Sequence, residues 1–160
     1  RTNTNESVAR FNLLAGKASL RVGDHIKAIK YLEGLRAGGA IGPELLMAMG
    51  KAYTLTGQTA QAKEVLQEVL TKFGQDMNAM DKSMVLEELG DAAMDDAKYE
   101  LALKLYLDGK KAMPGNNELL IKALDASKQA HDYYTAVDIL QDIIYKTSDK
   151  EQRIELFIQL

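Results

Sequence analysis

Residues 43–73, PELLMAMGKAYTLTGQTAQAKEVLQEVLTKF, predict two short helices that fold back on one another. Gly50 lies in the first helix, Gly57 in the turn and Ala62 in the second helix. The same residue types occur 34 positions earlier, at Gly16, Gly23 and Ala28. A fixed period of this length is typical of stacked helical hairpins.

The pattern continues after one insertion, because Ala102 lies 40 residues beyond Ala62 and Ala136 lies a further 34 residues on. The sequence therefore predicts one array over 1–160, with repeats at 9–42, 43–74, 83–116 and 117–148 and an inserted loop at 75–82. Asp81 is the expected cap of the third pair. Ser148 and Glu151 have a capping-box arrangement, which predicts an extra helix or the start of a truncated fifth repeat at 149–160.

The composition is that of a globular chain without thiol chemistry. Its 160 residues are 46% hydrophobic and 27% charged, enough for one buried core. The absence of cysteine excludes disulfides and cysteine–zinc sites. A net charge of −3 argues against a nucleic-acid partner, which requires a basic stripe. The sequence has no apolar run of membrane-spanning length, so no membrane insertion is expected, and the compartment stays open with the cytoplasm slightly favoured.

From about Ala9 to Ser148 the chain resembles the tetratricopeptide repeat family. The resemblance rests on small residues where paired helices cross, and such close packing requires small side chains. These residues are Gly16, Gly50 and Gly90 in the inner helices, Ala28, Ala62, Ala102 and Ala136 in the outer helices, and Gly23 and Gly57 in the turns. The resemblance implies an all-α fold, a right-handed superhelix (α-solenoid) of stacked antiparallel helix pairs whose inner helices line a concave groove.

The later repeats depart from the family pattern. Ala97 and His131 stand where a turn glycine is expected, and Leu124 replaces a small inner residue. We therefore expect the fourth helix pair to pack more loosely or at a shifted angle.

The resemblance also implies a partner-binding surface on the inner helices, and spacings of three and four keep each candidate set on one helical face. The candidates are Arg10, Leu13, Lys17 and Arg21; Glu44, Met47, Lys51, Thr54 and Leu55; Met84, Glu87, Asp91, Met94 and Asp95; and Glu118, Ile121, Asp125 and Lys128. This surface would be cationic in the first half and anionic in the second. We expect a peptide partner with an apolar stripe and charges of both signs, with the methionines as adaptable contacts.

The acidic row formed by Glu87, Asp91 and Asp95 is the most informative local feature. Like charges at this spacing each cost a helix roughly 0.2–0.5 kcal/mol. Either Lys51 neutralises the row, or it is a solvated face, or it binds a Lys- or Arg-bearing partner segment. A metal site is not expected, because three carboxylates on one straight helix cannot surround an ion.

No catalytic constellation is visible in the sequence, and neither enzyme activity nor a cofactor is expected. His25 and His131 fall at turns without a clustered partner. Leu13 and Met47 occupy positions where a clamp for a peptide C-terminus needs polar donors. The leading interpretation is a protein-interaction scaffold or adaptor. The alternatives are a structural or regulatory segment that packs on a neighbouring domain or self-associates, and a lid of an enzyme encoded elsewhere in a longer chain.

Overall fold

The structure, a computed structural model, describes the backbone of residues 2–147 and the side chains of residues 6–147. This range contains eight helices and no strand, which confirms the all-α prediction. The helices are α1 (Thr2–Arg21), α2 (His25–Ala37), α3 (Pro43–Leu55), α4 (Thr59–Phe73), α5 (Ala79–Asp95), α6 (Tyr99–Ala112), α7 (Glu118–Gln129) and α8 (Tyr133–Lys146). The helix predicted over 149–160 and its capping box lie outside the described residues.

The chain divides into two compact units, one up to Met77 and one from Asn78 onward. In the first unit α1 pairs with α2 and α3 with α4, and α2 also packs on α3. In the second unit α5 pairs with α6 and α7 with α8, and α6 also packs on α7. Each unit therefore consists of two helical hairpins.

Small residues allow the paired helices to approach closely, as the sequence predicts. A β-carbon added at Gly50 would stand 2.5 Å from Leu66 Cδ2, and one added at Gly16 would stand 2.8 Å from Leu32 Cδ2. A β-carbon at Gly90 would overlap the ring of Tyr106. The four outer-helix alanines are all buried, namely Ala28, Ala62, Ala102 and Ala136. Both sets of small residues thus lie at the helix crossings.

The fourth hairpin lacks the small inner residue, and Leu124 is buried in its place. Leu124 belongs to the apolar core of the second unit with Leu120 and Leu140. The α7–α8 pair packs less extensively than the other three hairpins, and α7 is also the shortest of the described helices. The expected looser packing or shifted angle therefore stays a prediction.

All four hairpin turns share one backbone conformation. Gly23, Gly57, Ala97 and His131 have φ of 82°, 73°, 56° and 57°. The N–H of the next residue donates to the carbonyl five positions earlier, as in the bond of 2.9 Å from Lys98 to Ala93. This is the Schellman helix end, in which the left-handed residue is usually glycine. Ala97 and His131 therefore replace the turn glycine, as predicted.

The loop before α5 is shorter than the predicted 75–82. The side chain of Asn78 accepts a hydrogen bond from the Asp81 N–H and caps the helix, so residues 79–82 form its first turn. The prediction of Asp81 as the cap was wrong. Asn and Asp are both good N-caps. Here Asn78, the earlier of the two in sequence, caps the helix, which is therefore about one turn longer than predicted.

Candidate functional site

The predicted inner-helix residues of the first unit are all accessible. Leu13, Lys17 and Met47 are half-buried, and the others are exposed: Arg10, Arg21, Glu44, Lys51, Thr54 and Leu55. Lys17 Nζ lies 3.2 Å from Glu44 Oε2, an ion pair that joins α1 to α3. The predicted cationic surface is therefore partly neutralised by the chain's own carboxylate.

The predicted residues of the second unit are accessible as well. Glu87, Asp91 and Met94 are half-buried, and the others are exposed: Met84, Asp95, Glu118, Ile121, Asp125 and Lys128. None of the candidates is fully buried, but Met94 packs against the apolar core of the second unit, so it is in part a core residue.

Two carboxylates of the acidic row form ion pairs with a lysine that was not among the predicted residues. Lys122 Nζ of α7 lies 2.8 Å from Glu87 Oε1 and 2.8 Å from Asp91 Oδ2. The hydroxyl of Tyr106 on α6 donates to Asp91 Oδ1 at 2.7 Å. We call Glu87, Asp91, Tyr106 and Lys122 the Lys122 cluster, which joins three helices of the second unit.

The geometry of the Lys122 cluster follows from local helix structure. Glu87 and Asp91 lie one turn apart on α5, so their carboxylates share a face. Between them in sequence, Gly90 leaves room for the ring of Tyr106, whose hydroxyl then reaches the acidic row. Lys122 Nζ also lies 5.9 Å from the centre of that ring, within the range of a cation–π contact.

Burial and charge shift the pKa values in this cluster. Burial and the hydrogen bond to Asp91 raise the pKa of Tyr106 well above its usual range. Burial acts to lower the pKa of Lys122, but the hydrogen bonds to Asp91 and Glu87 outweigh it and the net shift is upward. The phenol therefore stays neutral and the ammonium stays charged at physiological pH. The charge of Asp125 adds a smaller upward effect on the pKa of Tyr106.

The acidic row is thus partly neutralised within the protein, which was one of the predicted explanations. Lys51 was the cation predicted for this role, whereas in the structure Lys122 forms the ion pairs with Glu87 and Asp91. One signal in the sequence pointed to Lys122: it occupies the repeat position at which the first two repeats have Leu14 and Ala48. Asp95 and Asp125 have no ion pair within residues 6–147.

The described residues offer no site for a metal, since they contain no group of three or more His, Asp or Glu side chains placed to hold an ion. Within the same range, no helix combines the length and the apolar character that crossing a membrane requires.

The paired helices, their small-residue crossings and their turns define a helical-repeat fold of the tetratricopeptide type. Solved structures share this fold. MamA 41-end from Desulfovibrio magneticus RS-1 aligns over 95% of this chain and 92% of its own, with 18% identity and a TM-score of 0.75. MamA AMB-1 aligns over 84% and 75%, with 22% identity and a TM-score of 0.70.

The TPR-like repeats of a putative kinesin light chain from Podosopora anserina align over 89% of this chain and 77% of their own, with 18% identity and a TM-score of 0.69. At these identities the likeness establishes the fold alone. No family model matches the sequence, and neither does any curated protein.

Proposed function

We propose that this protein is a non-enzymatic interaction module whose inner-helix faces bind a peptide or protein segment, in the role of a scaffold or adaptor. The observation that carries the proposal is the division of each inner helix into two faces. The face with Gly16, Gly50 and Gly90 is buried in the helix crossings, whereas the face predicted to bind a partner is accessible along α1, α3, α5 and α7. Proteins of this fold are typically interaction scaffolds.

The two units favour partner segments of opposite charge. In the first unit Arg10, Arg21 and Lys51 are exposed and have no ion pair within the described residues, so they suit a carboxylate-bearing segment. In the second unit Asp95 and Asp125 are likewise exposed and have no ion pair within the described residues, so they suit a Lys- or Arg-bearing segment. Because Lys122 already neutralises Glu87 and Asp91, we expect Asp95 and Asp125 to bind the basic residues of the partner.

Apolar contacts would supply most of the binding free energy. Leu55, Met84 and Ile121 are 49%, 41% and 62% exposed. Removal of apolar surface from water contributes roughly 25 cal/mol per Å², and methionine adapts its shape to different partners. An apolar stripe with flanking charges is therefore the expected pattern in the partner.

A selection from a random peptide display library tests the proposal. We expect wild-type protein to enrich peptides with apolar residues flanked by Lys or Arg, and the double variant Asp95→Lys/Asp125→Lys to bind them at least about tenfold more weakly. The matched control is Asp108→Lys/Asp138→Lys, which reverses two exposed charges on outer helices α6 and α8. Equal losses in both variants, or no enrichment by the wild type, would contradict the proposal.

A second candidate function is a structural or regulatory segment that packs on a neighbouring domain or self-associates. It is favoured by large apolar side chains that stand in solvent, since Phe11 is 67%, Tyr134 91% and Tyr145 89% exposed. Light scattering over a range of protein concentrations separates the two functions. A mass that rises with concentration supports self-association, whereas a monomer at every concentration leaves the inner-helix surfaces free for another protein.

A further inference from the structure

The first unit contains a pocket of about 390 Å³ on the side away from the predicted partner-binding face. Met49 and Tyr53 of α3 and Val65 of α4 form its floor, and all three are buried. Glu33 on α2 and Glu64 on α4 line its walls. Outer helices α2 and α4 therefore flank the opening, with the inner helix α3 between them.

The carboxylates of Glu33 and Glu64 form no ion pair within residues 6–147, although one cation also lines the pocket. Glu33 Oε1 accepts a hydrogen bond of 2.8 Å from the Tyr53 hydroxyl, which leaves its charge uncompensated. Glu64 is exposed and has no ion pair within residues 6–147. Arg36 also lines the pocket, but its guanidinium is held 2.7 Å from Glu68 Oε2.

The electrostatics of Tyr53 agree with this geometry. Burial first, and then the hydrogen bond and charge of Glu33, raise the pKa of Tyr53 to about 12. The charge of Arg36 acts to lower this pKa and that of Glu64 acts to raise it, and both effects are smaller than that of Glu33. The pocket thus combines buried apolar residues with two carboxylates from different helices and one guanidinium that is already paired with Glu68.

We propose that this pocket binds a Lys or Arg side chain of a partner protein, with the aliphatic stem on Met49 and Val65 and the charged head between Glu33 and Glu64. Long basic side chains suit such a site because they bury their methylene groups while the head forms ion pairs. A bare metal ion would gain nothing from the apolar floor. The protein would then have an interaction site on its outer helices that is independent of the inner-helix faces.

Binding of small probes tests this site directly. The methyl group of Met49 is observed by NMR in protein labelled at methionine methyls, while Nα-acetyl-arginine amide or Nα-acetyl-lysine amide is added. We expect a saturable shift of the Met49 signal with at least one of the two. The citrulline analogue, which keeps the stem but lacks the charge, should bind at least about tenfold more weakly, because charge-assisted hydrogen bonds are the stronger kind.

Two variants supply the controls. Glu33→Gln/Glu64→Gln keeps side-chain size and an acceptor for Tyr53, and should weaken binding by at least about tenfold. Glu6→Gln/Glu100→Gln neutralises two exposed glutamates elsewhere and should leave the affinity unchanged. No saturable shift in the wild type, equal binding of citrulline, or unchanged affinity in the first variant would overturn the proposal. Asp95→Lys/Asp125→Lys should not affect this titration, so the outcome is separable from the inner-helix test.

Discussion

Lys122 and Asp91 form a two-point contact, with the lysine Nζ 2.9 Å from Oδ1 and 2.8 Å from Oδ2 of the carboxylate. The contact joins α7 to α5, and Tyr106 on α6 completes it from the helix between them. Part of a surface that the sequence suggests for partner binding is therefore also used to hold the second unit together.

Replacement of Lys122 by methionine should destabilise the protein. The change leaves Glu87 and Asp91 as neighbouring carboxylates without their cation, and we expect a loss of about 1–2 kcal/mol, since the pair is only half-buried. Urea unfolding followed by circular dichroism measures the change. Lys128→Met on the same helix removes an exposed lysine and should change stability by less than about 0.5 kcal/mol. Similar losses in the two variants would contradict a structural role for the cluster.

Two of the seven tyrosines should resist ionisation in alkali. The pKa of Tyr53 is raised to about 12, and that of Tyr106 is raised further by burial and Asp91. Because each folded-state pKa lies above the usual 10.0, the stability contributed by each neutral phenol is complete below pH 10 and is lost as the pH rises through the folded-state value. Phenolate absorbance near 295 nm should therefore show a late phase coupled to unfolding.

The variants Tyr53→Phe and Tyr106→Phe should each remove one tyrosine from that late phase. The prediction would be contradicted if all seven tyrosines ionised together near pH 10 while the helical signal persisted, because the pKa values of Tyr53 and Tyr106 would then not be raised.

Addition of one methyl group should have opposite effects at two helical glycines. A β-carbon at Gly50 would stand 2.5 Å from Leu66 Cδ2, so Gly50→Ala should lower stability by about 1–3 kcal/mol through overpacking. Gly34 in α2 is exposed and has no atom within 4 Å of the added carbon. Gly34→Ala should raise stability by about 0.8–1 kcal/mol, the difference in helix propensity. Thermal unfolding compares the two, and equal signs would refute the close crossing at Gly50.

Glycine should improve the turn between α5 and α6. Ala97 has φ of 56°, a left-handed conformation in which its side chain is strained. Ala97→Gly should therefore raise stability by about 0.5–1 kcal/mol, the strain relief less the entropy cost of glycine. Ala18→Gly, at an exposed position inside α1, should instead lower stability by about 1 kcal/mol. A loss at both positions would mean that the turn is not left-handed.

The helix pairs were predictable because their determinants repeat along the sequence. Gly16, Gly50 and Gly90 each lie at a constant distance in sequence from an outer-helix alanine, and this spacing indicates where the two helices of a hairpin cross. The same crossing recurs in each repeat. The positions of Ala97 and His131 followed from the same period, although neither is the expected glycine.

Contacts that occur once were not predictable in this way. Lys122 on α7 pairs with Asp91 on α5, and no residue spacing within a single helix predicts a contact between two helices. The pocket likewise gathers Glu33, Tyr53 and Glu64 from three different helices. The start of α5 depended on competition between Asn78 and Asp81 as caps, and composition alone does not rank two good caps.

Ionic strength should act unequally on the charges of the second unit. Added electrolyte screens exposed charges most, so it should weaken the attraction between Asp95 or Asp125 and a basic ligand. The partly buried ion pairs of Lys122 with Glu87 and Asp91 are screened less. Affinity for a basic ligand should consequently fall with electrolyte at concentrations that leave the stability of the second unit almost unchanged.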